Sequence, residues 1–347
     1  MSDEMALRAL PVEEVIRQVG VARAIPIKRV ASLLFTYRCS IACDHCLFSC
    51  QPHLPPVRTS LADGVEFLRQ LRGTDRVIHV AGGEAMLYYD ELLAICQAAG
   101  AEGVGPHFVE SNASWCKSEA IARERLTALR EAGLPGFYLS ADPYHQKYVS
   151  PSNYRVAYEV AVEVFGQENV AASGAPLEQL AEWREIGRDP ARLGEYARQR
   201  PPRLTGRAAE ALGQYFPDRP LDELDGDAMW GGAPEAACRS QFDPESMWEI
   251  HIDPYGNIQT CCGIVVGNVH RKPLLEAMAE GFTQNELIQL VYERGPRAYL
   301  ALARERGYEP REGYKQKCEL CWEARKYLRP FYPETFGPAE IYDQAAD

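Results

Sequence analysis

Apolar positions along this chain follow two periods, and from residue 29 onward the two take turns. Val30 to Phe35 is an apolar, β-leaning run with Ser32 its one polar residue, the pattern of a buried strand. Leu61, Val65, Phe67, Leu68 and Leu71 then recur at helical spacing and predict a helix over 60–72. Arg76-Val-Ile-His-Val-Ala-Gly-Gly-Glu84 reads as a second strand ending in a glycine turn, and a helix over 90–99 follows, with Cys96 on it. The alternation continues with a strand near 104–110, a helix over 117–132 stopped by Gly133, a strand from Gly136 to Asp142, a helix over 153–165 and a short strand near 169–173. A polar helix is expected over 177–199, and Pro202-Arg-Leu-Thr-Gly206 is read as a sixth strand. Ahead of this series Val12, Val15, Ile16 and Val19 share one helical face in a preface over 1–28, which Pro26 should end. Alternation at this spacing means a parallel sheet with right-handed crossovers, and leaves open sheet and barrel as alternatives.

After about residue 211 the pattern changes. Ser246-Met-Trp-Glu-Ile-His-Ile-Asp and Ile258-Gln-Thr-Cys-Cys flank Pro254-Tyr-Gly-Asn257, a hairpin with turn-forming residues. Helices are expected over 273–281, 284–293, 297–306 and 321–328, the last opened by Lys317-Cys318-Glu-Leu-Cys321. The division that results is a preface over 1–28, a larger domain over 29–210 and a smaller one over 211–347.

Composition narrows the class. At 347 residues, 46% hydrophobic and 25% charged, the chain can build an ample core. No stretch nears the roughly 18 apolar residues of a membrane helix, and Met1-Ser-Asp-Glu-Met lacks an export signal, so a cytoplasmic protein with no membrane partner is expected. Lys plus Arg is 37 against 49 for Asp plus Glu, a net of −12, which argues against broad binding of nucleic acid. In a reducing compartment the 11 cysteines stay free, and their clustering favours metal over disulfides.

The first cluster follows the first strand: Phe35-Thr-Tyr-Arg-Cys39-Ser-Ile-Ala-Cys43-Asp-His-Cys46, a CxxxCxxC loop. Three thiolates leave one iron of a cubane 4Fe–4S cluster without a protein ligand. A zinc site that borrows His45 or Cys50 is the other reading of the loop alone. The loop resembles the signature of the radical S-adenosylmethionine (SAM) superfamily. That resemblance implies a partial (β/α)6 barrel of TIM type, with the site at the C-terminal ends of the strands. It implies that Cys39, Cys43 and Cys46 hold a 4Fe–4S cluster whose open iron chelates SAM. One electron then cleaves SAM to a 5′-deoxyadenosyl radical, which takes a hydrogen from the substrate. His45 stands where the superfamily usually has an aromatic carbocycle.

The same resemblance gives Gly82-Gly83-Glu84 the task of binding the methionine amino group, and Asn112 and Ser140 contacts to ribose and carboxylate. From the residues alone these are equally a turn and helix caps. Asp142-Pro-Tyr144-His145 puts proton-handling side chains where the radical would form, or else a loop held by an Asp–His pair. Cys96 is expected in the core, while Cys50 and Cys116 are expected near the barrel mouth.

The later cysteines, Cys238, Cys261 and Cys318-x-x-Cys321, with Cys262 as a substitute for Cys261, can close a metal site completely. Zinc and iron–sulfur both fit that spacing. Gly256-Asn-Ile-Gln-Thr-Cys261 and the CxxC resemble the auxiliary-cluster domains called SPASM or, in the short form, twitch, which implies one auxiliary 4Fe–4S cluster in a small α+β domain. A fully ligated second cluster carries electrons, so a net oxidation is expected. The first reading is a maturase that oxidatively modifies a peptide or protein; the alternative is a small-molecule dehydrogenase or cofactor-biosynthesis enzyme. Either needs an external electron donor such as flavodoxin or ferredoxin.

Overall fold

The structure is a computed structural model that describes residues 3–174, 176–227, 238–243 and 247–342. Met1 and Ser2 of the expected preface and Ser246 of the expected hairpin lie outside these residues. The chain forms two compact units: Met1–Ile41, Gln51–Pro190 and His251–Tyr255 make the first, and Ala42–Cys50, Ala191–Ile250 and Gly256–Asp347 the second. These units do not follow the expected boundary at residue 210.

The first unit holds five parallel strands, β1 (Val30–Thr36), β2 (Val77–Gly82), β3 (Phe108–Ser111), β4 (Gly136–Ser140) and β5 (Val170–Ser173). Their order is β5-β4-β3-β2-β1, so each strand pairs with its sequence neighbour. Helices Leu61–Arg72, Tyr89–Ala101, Glu119–Glu131 and Pro151–Phe165 make the crossovers. Three of the four start on a serine whose hydroxyl accepts a backbone N–H of the first turn: Ser60, Ser118 and Ser150. Every residue of β1 is buried, Ser32 and Thr36 included. His251 and Ile252, the part of β6 (Glu249–Ile252) in this unit, lie beside β1, where His251 Nδ1 is 2.6 Å from Ser32 Oγ.

The preface is part of this core. Val12, Val15, Val21, Ala24 and Ile27 pack with Val30, Val77 and Phe108. Its long helix, Val12–Lys28, runs past Pro26 and is interrupted instead at Gly20, φ +78°. A side chain at Gly20 would meet the Glu168 carbonyl at 2.4 Å, so the break is where the backbones touch. The polar helix over 177–199 is in fact Leu180–Arg188 and Pro190–Gln199. Pro190 forces extended backbone on Asp189, φ −101° and ψ 110°. Residues 202–206 form no strand; the Gln316 side chain takes Pro202 O and Leu204 N, and Thr205 N donates to Arg203 O.

The second unit carries the antiparallel pair β7 (Asn257–Cys261) and β8 (Ile264–Asn268). Its helices are Leu274–Gln284, Glu286–Arg294, Pro296–Glu305 and Lys317–Leu328. Leu224, Leu300, Tyr314 and Leu320 form one of its cores, and Trp322 stacks on Tyr342 at 4.7 Å.

The exit of β1 is fixed by the turn after β2. Gly83 N donates to Thr36 O at 2.7 Å and Glu84 N to Arg38 O at 3.1 Å. A Cβ on Gly83 would lie 2.0 Å from Arg38 O, a backbone atom that cannot swing away. Gly83→Ala should therefore destabilise the protein by about 3 kcal/mol or more in urea unfolding. Gly103→Ala, where only the positive φ of +71° is strained and nothing lies within 4 Å, should cost about 1 kcal/mol. Equal costs at the two positions would contradict this reading.

Candidate active site

The C-terminal ends of β1 to β4 carry the predicted site residues of the first unit. Glu84 begins the turn Ala85–Tyr88 and is wholly buried. Its carboxylate accepts from Met86 N at 3.2 Å, Ser111 Oγ at 2.9 Å and Asn112 N at 2.8 Å. The side chain thus points into the protein and ties β2 to the end of β3. Burial pushes its pKa up to about 7, against the three donors that favour the anion. Gly82 and Gly83 supply the close backbone approach described above. Ser111 also accepts from Trp115 Nε1 at 2.8 Å, which steadies the loop after β3.

Asn112 is placed against the first cysteine. Its Nδ2 lies 3.5 Å from Cys39 Sγ and 3.2 Å from Ser40 Oγ, and its Oδ1 accepts from Ser114 N at 2.9 Å. Cys39 N in turn donates to Gln51 O at 3.2 Å. Ser140 turns to Glu110, donating at 3.1 Å, and the other Glu110 oxygen is 3.9 Å from His79 Nδ1. His79 is buried on β2 and its pairing was not legible in the sequence. Asp142 caps the short helix Pro143–Gln146 and lies 2.9 Å from His145 Nδ1, the paired arrangement that the residues alone also allowed. Tyr144 is buried in the same helix.

The remaining part of the first cysteine loop, Ala42–Cys50, belongs to the second unit. Here Cys50 N donates to Cys46 Sγ at 3.3 Å. Contact with Cys50 outweighs burial, and with Arg207 and His45 nearby holds the Cys46 thiol down at about 5. Such a thiol is a thiolate at neutral pH, the form that ligates metal. Arg207 holds the loop's backbone: its guanidinium donates to Cys43 O at 3.1 Å, Ser49 O at 2.7 Å and Cys50 O at 2.9 Å. No local sequence signal pairs residues so far apart. Cys50 is buried within this loop; Cys96 and Cys116 are buried in the first unit, where burial raises them to about 12 and 11.

Cys238, Cys261, Cys318 and Cys321 line a single pocket of the second unit, together with Arg203 and Arg325. Arg203 Nη2 donates to Cys261 Sγ at 2.7 Å and Nη1 to Gln241 Oε1 at 3.2 Å. Burial opposes charge on Arg203, but the sulfurs of Cys261, Cys318 and Cys262 outweigh it, and its pKa is raised. Arg325 is buried on Tyr342 Oη, Thr205 Oγ1 and Cys262 O. Burial and neighbouring sulfurs raise Cys238, and burial raises Cys321 to about 11, so metal would have to displace protons here. Cys262 is buried but is not among the residues lining that pocket. Four sulfurs and two fixed cations suit an anionic thiolate-ligated centre.

Comparison with known proteins agrees with the first loop. Residues 33–166 match the family model of the radical SAM superfamily. The superfamily implies a 4Fe–4S cluster, SAM and a reductant. Among solved structures, that of BtrN in complex with AdoMet and 2-DOIA is similar, with 13% identity, a TM-score of 0.43, and coverage of 77% of this chain and 88% of that chain. That likeness is too loose to carry chemistry. No curated protein sequence matches the chain. Among the described residues no helix is long and apolar enough to cross a membrane.

Glu84 makes the domain's stability depend on pH. A carboxyl raised from 4.5 to about 7 binds a proton that the unfolded chain would release. Its contribution is full below pH 4.5 and is lost as pH rises through about 7. The metal-free protein should lose at most about 3 kcal/mol across that window, at 1.36 kcal/mol per unit. Glu84→Gln should flatten the fall in urea titrations; a variant profile parallel to the wild type would contradict the assignment.

Proposed function

We propose that this protein is a radical SAM enzyme with a second, fully ligated 4Fe–4S cluster, and that it carries out a net oxidation of its substrate. Cys39, Cys43 and Cys46 would hold the first cluster, with one iron left for SAM. Cys238, Cys261, Cys318 and Cys321 would hold the second, in a small domain of twitch type. The observation that carries this reading is the gathering of those four cysteines around one pocket with the buried Arg325 and the half-buried Arg203. When bound, the two clusters and SAM supply reductive cleavage to a carbon radical and a path for the electron left on the oxidised substrate.

The chain's own residues bind and orient. Asn112 donates towards Cys39, Arg207 fixes the Cys43–Cys50 backbone, and Arg203 donates to Cys261. Gly82, Gly83 and Glu84 set the rim on which the methionine end of SAM would rest. Ser140, Asp142, Tyr144 and His145 are the candidates for contact with cofactor or substrate. A residue of a peptide or protein is the first substrate class. A small polar molecule is favoured by two observations: Ser140 donates to Glu110, whose other oxygen lies 3.9 Å from His79, so polar side chains gather in the first unit, and the preface helices are part of its core.

Anaerobic reconstitution tests the reading. Wild type should hold about eight irons per chain and release 5′-deoxyadenosine with SAM and dithionite. Cys318→Ala/Cys321→Ala should drop to about four irons, keep SAM cleavage and lose substrate oxidation. Zinc without iron or sulfide would contradict the proposal.

A further inference from the structure

Residues 203–207 touch both groups of cysteines within the second unit. At one end Arg203 donates to Cys261 Sγ at 2.7 Å, with the sulfur of Cys318 also beside it. Leu204 N donates to Gln316 Oε1 at 3.0 Å, and Gln316 Nε2 returns to Pro202 O at 3.0 Å. Gln316 precedes the helix Lys317–Leu328, which carries Cys318 and Cys321. Thr205 Oγ1 accepts from Arg325 Nη2 of the same helix at 3.0 Å. At the other end the backbone is pressed onto the Ala42–Cys50 segment. Gly206 has φ +59°, and a Cβ there would meet Leu47 O at 2.4 Å and Cys46 O at 2.8 Å. Arg207 N donates to Cys46 O at 3.1 Å, and its side chain takes three more carbonyls of the segment.

The Ala42–Cys50 segment has no helix or strand of its own. The strap takes four of its carbonyls, Cys46 O through Arg207 N and Cys43, Ser49 and Cys50 O through the Arg207 guanidinium. A rigid guanidinium fork can hold several carbonyls in one arrangement, which a flexible ammonium cannot. At the far end, a thiol that becomes a metal-bound thiolate is a stronger acceptor for Arg203. Fixing Arg203 and the helix Lys317–Leu328 therefore fixes the strap, and the strap fixes the loop.

We propose that Arg203–Arg207 is a mechanical strap through which filling of the second cysteine site orders the Ala42–Cys50 part of the first. Arg203 and Arg207 are positioning residues in this scheme. The inference rests on the second-cluster reading above, and the test separates the two.

The full-length variant Cys39→Ala/Cys43→Ala/Cys46→Ala keeps only the second site. It is reconstituted with iron and sulfide, or stripped, and hydrogen exchange is followed in peptides covering 42–50 and 317–328. Loading should slow exchange in both peptides, by roughly tenfold in 42–50. Adding Arg207→Met should abolish the slowing in 42–50 while the iron content and the slowing in 317–328 stay as they were, which also shows that the variant is folded. Arg207→Lys should retain part of the effect. Iron uptake with 42–50 unchanged, or slowing that survives Arg207→Met, would overturn the strap alone. Failure of the triple variant to take up iron would overturn the second-cluster reading and the strap with it.

Discussion

The position of the first cysteine depends on one close contact between two backbones. The Gly82–Gly83 turn lies against the end of β1, with Gly83 N on Thr36 O and Glu84 N on Arg38 O. No side chain fits between them. From that contact the Glu84 carboxylate reaches Ser111 and Asn112, and Asn112 reaches the Cys39 sulfur. A buried carboxyl with three donors is costly to disturb, because removing it strands each of them. Its stabilising effect is therefore on geometry: three strand ends and one thiol are held in a single hydrogen-bonded group.

The second unit solves a different problem. In the four-cysteine pocket burial and the neighbouring sulfurs push the Cys238 thiol up, and burial raises Cys321 to about 11. Arg203 and Arg325 sit in that pocket as permanent cations. Burying a guanidinium without counter-charge is unfavourable, and an anionic thiolate-ligated centre would supply that counter-charge. The two arginines and the four sulfurs are physical complements, and each explains why the other is tolerated.

Much of this was legible in the sequence. The run Val30–Phe35, the crossover helices and the glycine turn at 82–83 announce themselves locally, through hydrophobic period and turn-forming residues. So do the CxxxCxxC and CxxC spacings. Where local signals competed, the wrong one was followed: Pro190 was available as a helix breaker but the polar periodicity over 177–199 hid it. What had no local signal was the long-range pairing. Arg207 meets residues more than 150 positions earlier and Arg203 meets Cys261, 58 positions on. A short run of Arg, Leu and Thr between proline and glycine looks like a strand, and nothing in it reveals that the Gln316 side chain takes Pro202 O and Leu204 N.

The central claim is that a loop of three cysteines leaves one iron open for SAM, while the later four leave none. Electron–nuclear double resonance on the reduced, reconstituted protein with SAM labelled at the methionine amino nitrogen tests this directly. Nitrogen coupling to one cluster, kept in Cys318→Ala/Cys321→Ala and lost in Cys46→Ala, is the predicted result. Absence of coupling in a wild type that holds both clusters, or coupling that follows Cys318 and Cys321 instead, would contradict the account.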